Sequence, residues 1–270
     1  MNAVEAVKVV ILGIIQGITE WLPVSSTGHM LLFDALLPLN LSEDFVSVFM
    51  VVVQLGSILA VVVLYFNRLW PLKKSRQESM RTLRLWGRVL IATIPAGVVG
   101  LLFDDLIDQK LSTWPVIAAA LAIYGVLYIV LEKKVRIRTR VETLDDISVR
   151  DALYMGFFQM LALIPGTSRS GSTILGGMIG GISRPVAAEF SFFMALPVMA
   201  GASLLRLVKS GLAFSGAEWG YLALGSLVAF LVSLAAIKGL MSYVRSHDFS
   251  VFGVYRIVLA VVVTAYFSLS

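Results

Sequence analysis

Six stretches of 17 to 25 mostly apolar residues constrain this chain more than any other feature; they lie at approximately 45–66, 88–105, 113–131, 184–207, 217–241 and 251–268. A hydrocarbon core ~30 Å thick is crossed by roughly 20 apolar residues in a helix, so each stretch is long enough to span a bilayer. Charge, Pro or Gly clusters end each one. The runs are continuously apolar and do not alternate over the ~10-residue segments of a membrane barrel, so the expected fold class is an all-α membrane protein. At 58% hydrophobic and 14% charged residues, with a mean hydropathy of +0.89, the chain has too little polar material to coat a water-exposed surface. The absence of cysteine excludes a disulfide scaffold, thiolate metal ligands and a thiol nucleophile.

The net charge of +5 does not point to nucleic acid, because the basic residues collect in short connectors, where they set topology. Arg68, Lys73, Lys74, Arg76, Arg81, Arg84 and Arg88 follow the first span, and Lys133, Lys134, Arg136, Arg138, Arg140 and Arg150 follow the third. These thirteen of 22 Lys and Arg residues place both connectors in the cytoplasm. Asp104, Asp105 and Asp108 against Lys110 suit the opposite side, and threading the spans then puts residue 45 and the C-terminus outside.

Residues 4–35 and 151–183 are apolar but broken in the middle by Pro, Ser, Thr and Gly. Irregular backbone at membrane depth is tolerated only when buried in protein or lining a wet cavity, so each reads as a re-entrant helix-loop-helix. A secretory signal is the alternative for the first, but Glu5 sits beside Lys8 with no basic leader and no small-residue cleavage site follows. The two stretches also resemble each other. Gly13, Gln16 and Phe49 recur as Gly156, Gln159 and Phe192, each 143 residues on, and Pro23-Val24-Ser25-Ser26 answers Pro165-Gly166-Thr167-Ser168 at 142. The expected architecture is one domain, 1–270, made of six transmembrane helices plus two re-entrant segments arranged as an inverted-topology repeat. Half one covers about 1–131, half two about 151–270, and a basic cytoplasmic connector, 132–150, joins them. Broken segments of such repeats usually meet near the midplane and form the site there.

Burying an unpaired charge costs at least ~2.5–3.5 kcal/mol on insertion scales, which singles out Glu20, His29, Arg169, Glu189 and Arg256 inside apolar segments. Glu20, His29 and Arg169 fall in the interrupted loops, with hydroxyls from Ser25, Ser26, Thr27, Ser168, Ser170, Ser172 and Thr173. Arg169, within Thr-Ser-Arg-Ser-Gly-Ser-Thr, suits an oxyanion, best a phosphate, because a guanidinium supplies a planar donor fork and helix N-termini after each loop add partial positive charge. The competing reading is a buried structural pair between Arg169 and Glu20. Ser26 and His29, three residues apart, are spaced to meet on one helical turn as nucleophile and base, while helix capping by a Ser or Thr and an interior hydrogen-bonded His29 explain the same spacing. Glu20 could activate the nucleophile or hold a hard divalent cation, Mg²⁺ or Ca²⁺, shared with phosphate and water, since no dense carboxylate cluster exists. Glu189 and Arg256 read as structural charges, Glu189 at the cytoplasmic end of its span.

Gln16-Gly-Ile-Thr-Glu20-Trp-Leu-Pro-Val-Ser-Ser-Thr-Gly-His29-Met together with Pro165-Gly-Thr-Ser-Arg169-Ser-Gly-Ser-Thr173 resembles the undecaprenyl-diphosphate phosphatase family linked to bacitracin resistance. The resemblance runs the whole chain and implies hydrolysis of a C55 isoprenyl diphosphate to the monophosphate and inorganic phosphate, recycling the lipid carrier of peptidoglycan synthesis. It implies a bacterial cytoplasmic membrane location with the site open to the outer face, and membrane lipid and the isoprenoid diphosphate as partners; a homo-dimer is compatible with it. By motif, Glu20 matches the second acid of a (Glu/Gln)-x-x-x-Glu element, Ser26 and His29 its essential serine and histidine, and Arg169 its phosphate-binding arginine. Gln16 stands where many members have Glu, which moves metal ligation toward Glu20. Gln16, Ser25, Thr27, Gly166, Thr167, Ser168, Ser170 and Thr173 are the expected substrate-binding residues. The resemblance leaves open whether Ser26 or His29 forms the phospho-enzyme; Ser26 is favoured, with Glu20 or His29 as its base. A type 2 phosphatidate phosphatase needs two active-site histidines and a Lys-x₆-Arg-Pro element, whereas His247 lies in a distant polar connector and no Lys precedes Arg184-Pro185 at that spacing. The rival from another class is a flippase for a lipid phosphate using the same anion seat.

Overall fold

The computed structural model describes residues 2–134, 138–211 and 213–269, so Arg136 of the basic connector lies outside the described residues, as do the side chains of Asp104, Asp105, Asp108 and Lys134. Among the described residues the fold is all helical, and the one β feature is an isolated parallel bridge between Val141 and Ile182. In chain order the helices are α1 (Ala3–Thr19), α2 (Ser26–Leu36), α3 (Glu43–Val52), α4 (Gln54–Leu64), α5 (Phe66–Leu69), α6 (Arg76–Leu111), α7 (Trp114–Lys134), α8 (Val149–Leu161), α9 (Arg169–Ile179), α10 (Arg184–Lys209), α11 (Gly216–Tyr243) and α12 (Ser250–Leu269).

Six helical units are long and apolar enough to cross a membrane: Glu43–Leu64, interrupted at Val53 where α3 meets α4, and the apolar parts of α6, α7, α10, α11 and α12. Apolar side chains point outward from them, with Leu101 71% and Leu102 70% exposed, as expected of a surface solvated by lipid rather than water. Five of the expected spans agree with these units to within about two residues. The span expected at 88 differs, because its helix starts at Arg76. Hydropathy marks where a helix meets hydrocarbon, not where it begins. The basic first turns of α6 contain no stop signal, and Thr82, Leu85 and Val89 on one face are buried against the core.

Packing between the interrupted hairpins and the long helices is crossed. Helix α1 packs along α11, and α8 packs along α6. Both contacts use a glycine at which no side chain fits: a Cβ on Gly13 would lie 2.8 Å from the Gly225 carbonyl oxygen, and one on Gly156 would lie 2.5 Å from that of Ala92. Helices α7 and α12 pack extensively as well, as do α4 and α11. At the ends carrying the basic connectors, Arg68 pairs with Glu189 and Arg184 with Glu132, which supplies the partner for Glu189 that the sequence did not identify. Arg140 pairs with Asp151, whose carboxylate also accepts from the N–H and hydroxyl of Ser148 in a capping box that starts α8.

Candidate active site

Each hairpin turns at a serine in the left-handed backbone region, Ser25 at φ 72° and Ser168 at φ 71°, the two non-glycine residues among those described with positive φ. This conformation is uncommon outside Gly, Asn and Asp and persists only where surroundings hold it. Both serines cap the next helix: the Ser25 hydroxyl accepts from the Gly28 N–H at 3.3 Å and the Ser168 hydroxyl from the Gly171 N–H at 3.1 Å. The first residue of each capped helix is a candidate site residue, Ser26 on α2 and Arg169 on α9. The two helix N-termini converge, and free backbone N–H groups there favour an anion.

Three ties bring the loops together. Arg169 Nη2 donates to Glu20 Oε1 at 2.9 Å, and the Ser170 hydroxyl donates to the carbonyls of Glu20 at 3.1 Å and Leu22 at 3.2 Å. Arg256 of α12, fully buried, supplies the third: its guanidinium donates to the carbonyls of Pro23 (3.2 Å) in the first loop and Gly166 (2.8 Å) and Thr167 (3.0 Å) in the second, with Ala120 at 3.5 Å. No carboxylate faces this cation among its hydrogen-bond partners; carbonyls from both loops receive its Nη1 and Nη2, while its Nε has no hydrogen-bond partner among the described residues. The structural charge expected at position 256 is therefore a clamp on the site itself.

Glu20 is the hub. Its Oε2 accepts from Gln16 Nε2 at 3.0 Å and from the Ser26 hydroxyl at 3.3 Å, while Oε1 takes Arg169. Arg169 Nη1 donates to the Ser191 carbonyl at 2.9 Å, its guanidinium lies 5.4 Å from the Trp21 ring, and its buried Nε has no hydrogen-bond partner among the described residues. The ion pair between Arg169 and Glu20 is thus present in the same cluster as the hydroxyl of Ser26. A cavity of about 190 Å³ opens on this cluster, lined by Glu20, Ser26, Thr27, Gln54, Gln159 and Arg169 with Gly166 and Ser168. It shares Ala96, Leu163, Val198 and Ala202 with an apolar groove of about 400 Å³ between α6 and α10, which runs toward Ser112 and Lys209. A larger cavity, about 650 Å³, lies at the end of the molecule carrying Arg68 and Glu189; it holds none of the expected site residues, and cations and carboxylates line it in equal number.

His29 is placed differently from its expected partnership. It makes no hydrogen bond to Ser26; its Nδ1 meets the Ser25 carbonyl at 2.7 Å, its Nε2 meets the Tyr255 hydroxyl at 2.6 Å, and its ring stacks on that of Tyr255. The imidazole is turned toward Tyr255 on α12 and not toward the Ser26 hydroxyl. Of the remaining expected residues, Thr27, Gly166 and Ser168 reach the cavity, and Gln16 touches it through Glu20. Ser25, Thr167 and Ser170 build the loops, and Thr173 donates to the Arg169 carbonyl at 2.8 Å while pairing with Ser191 at 2.6 Å. The sequence reading missed Gln54, Gln159, Ser191 and Tyr255. Only Gln159 carried a signal, its 143-residue offset from Gln16.

The donor set for a divalent cation is sparse. No group of three or more His, Asp or Glu residues able to hold a metal exists among the described residues. One carboxylate, Glu20, beside the Gln16 carboxamide fits an ion only when phosphate and water supply most of the coordination, as Mg²⁺ commonly accepts.

The sequence profile of the bacitracin resistance protein BacA matches residues 9–262. The chain is 54% identical over 270 residues to undecaprenyl-diphosphatase 1 of Clostridioides difficile (strain 630), covering 99% of this chain and 98% of that protein. It is 52% identical over 268 residues to an undecaprenyl-diphosphatase of Enterococcus faecalis, with 97% of each covered, and 50% identical over 273 residues to that of Lachnoclostridium phytofermentans, with 100% of each covered.

Proposed function

The chain belongs to the bacitracin resistance BacA family, and from that premise we propose how its residues carry out the family's reaction. It is a multi-pass membrane phosphatase that hydrolyses undecaprenyl diphosphate to undecaprenyl phosphate and inorganic phosphate. The single observation that carries the residue assignment is the contact of Ser26, Glu20 and Arg169 in one cavity, Ser26 to Glu20 at 3.3 Å and Arg169 to Glu20 at 2.9 Å.

The Ser26 oxygen attacks the terminal phosphorus, its proton passes to Glu20, and the bond from that phosphorus to the bridging oxygen breaks, releasing undecaprenyl phosphate. Glu20 passes that proton to the departing undecaprenyl phosphate; water then attacks the phosphoserine and gives a proton to Glu20, which hands it to the Ser26 oxygen as the phosphorus–serine bond breaks and inorganic phosphate leaves. Arg169, exchanging Glu20 for phosphoryl oxygens, and the N-termini of α2 and α9 stabilise charge on the transferred group in a site sheltered from bulk water. Glu20 lies within reach of Ser26 and is the base; His29, with both nitrogens occupied, supports the loop through Ser25 and Tyr255. A divalent cation, when bound, neutralises diphosphate charge, and Glu20 with Gln16 would hold it.

The hairpins are read as re-entrant: at 17 and 11 residues, α1 and α2 rise about 26 and 17 Å, each short of the ~30 Å core. An inverted-topology repeat is supported by the matching left-handed serines, by the 143-residue spacing of α2 and α9, and by the crossed packing of α1 on α11 and α8 on α6. The basic connectors orient the molecule in the bacterial inner membrane, and the groove from the cavity leads to the opposite, periplasmic end of α6 and α10. The isoprenoid tail occupies that apolar groove while the diphosphate sits at the loops.

The test is phosphate release from purified protein with undecaprenyl diphosphate, with and without chelator. Ser26→Ala and Arg169→Ala are expected to abolish release while the protein stays folded; full activity in either variant overturns the assignment. A flippase without hydrolytic activity would release no phosphate even in the unmodified protein.

A further inference from the structure

The two halves differ at the position that decides what a buried glutamine does. In the first half Gln16 donates to Glu20, one helical turn on. Adding 143 to both numbers gives Gln159 and Leu163, so the second half keeps the glutamine and replaces its carboxylate partner with an apolar residue. Gln159 is 1% exposed, and neither its Oε1 nor its Nε2 has a hydrogen-bond partner among the described residues. An amide buried without partners is costly and rare, and where one occurs it calls for a reason. Here the side chain lines the cavity that holds Glu20, Ser26 and Arg169. Another unpartnered buried donor belongs to the same cavity, the Nε of Arg169.

We propose that Gln159 is a substrate-touching residue whose carboxamide N–H donates to a nonbridging oxygen of the bound diphosphate, beside the Nε of Arg169. The two halves thereby divide the work: the first supplies the carboxylate base and the nucleophile, and the second supplies neutral and cationic donors for the phosphate. An uncharged donor suits this place, because a second carboxylate would repel the diphosphate. This inference rests on the reaction proposed above and adds a residue to its binding site.

The experiment compares the unmodified protein with Gln159→Leu and Gln159→Glu, both close in size to Gln. Catalytic efficiency, inhibition by inorganic phosphate, and thermal midpoint in detergent are measured for each. Gln159→Leu breaks no hydrogen bond within the protein, so its midpoint is expected to equal or exceed that of the parent. Its catalytic efficiency is expected to fall about 10- to 100-fold, the range set by one hydrogen bond to a charged oxygen, with inhibition by phosphate weakened in parallel. Gln159→Glu is expected to weaken phosphate inhibition further. Parental activity and phosphate inhibition in Gln159→Leu overturn the proposal, as does a loss of activity that tracks a lowered midpoint in both variants. Failure of the underlying reaction is a separate outcome, since the unmodified protein would then release no phosphate.

Discussion

Replacing Arg256 separates the folding and catalytic consequences of a buried charge. Three of its hydrogen bonds, at 2.8, 3.0 and 3.2 Å, have good length. Bonds to a charged donor contribute roughly 1.5–3 kcal/mol each, so the lower bound for three is about 4.5 kcal/mol. Against this, keeping a guanidinium in an apolar interior costs several kcal/mol, which Arg256→Met removes. The two nearly offset, and the net loss of stability is expected to be about 2 kcal/mol or less. The loops bearing Ser26 and Arg169 nonetheless lose a common anchor. A displacement near 1 Å can cost about 100-fold, so kcat is expected to fall by that order, with KM changed less because the apolar groove is untouched. Arg256→Lys keeps the charge but has one nitrogen to serve carbonyls from two loops, and should fall between the two. Phosphate release across a substrate titration, with thermal unfolding of the same samples, reads both quantities. A folded Arg256→Met protein with kcat within about threefold of the parent refutes the clamp.

Four other outcomes follow from the geometry. A Cβ at Gly97 or Gly201 meets nothing within 4 Å, yet both glycines line the α6–α10 groove; Leu at either should lower the ratio of long-chain to short-chain prenyl diphosphate hydrolysis, and an unchanged ratio removes the tail from this groove. Gly56→Ala should destabilise by about 1–3 kcal/mol through overpacking, seen as a lower thermal midpoint, because its Cβ would fall 1.9 Å from the Ser226 carbonyl oxygen. Burial pushes the Asp151 carboxyl up, but bonds from Arg140 and Ser148 outweigh it and hold it below the ordinary carboxylate range. Its contribution is therefore complete above that range and disappears as pH falls through the lowered value, so Asp151→Asn should flatten the acid limb of a stability profile, weakly, because the Arg140 side chain is half exposed. Chelator should lower phosphate release without changing the thermal midpoint if the cation is shared with substrate rather than held by the fold.

The spans were legible because hydrocarbon imposes a length and a composition that nothing else in the chain satisfies. The start of α6 at Arg76 was not, since a helix that emerges into water no longer has to be apolar. Glu20, Ser26 and Arg169 stood out as polar groups where polar groups are expensive, and they share one cavity. His29 looked equally informative, but residues three apart on a helix are neighbours without having to bond, and spacing could not tell that the Ser25 carbonyl and the Tyr255 hydroxyl take both ring nitrogens. Arg256 was visible as a buried charge but not as a clamp, because backbone carbonyls, its partners, leave no mark on a sequence.

The crossed packing also has a price in time. The glycine face of α1 is closed by α11, so the 224 residues from Thr19 to Tyr243 separate an early helix from its cover. At ~5–20 residues per second, a ribosome takes roughly 10 to 45 s over that distance. The second hairpin has no such wait, since α6 is already inserted when α8 emerges. During biogenesis the first hairpin must be sheltered by an insertase or by lipid, and a nascent chain arrested before Gly216 would present it, still uncovered, to membrane quality control.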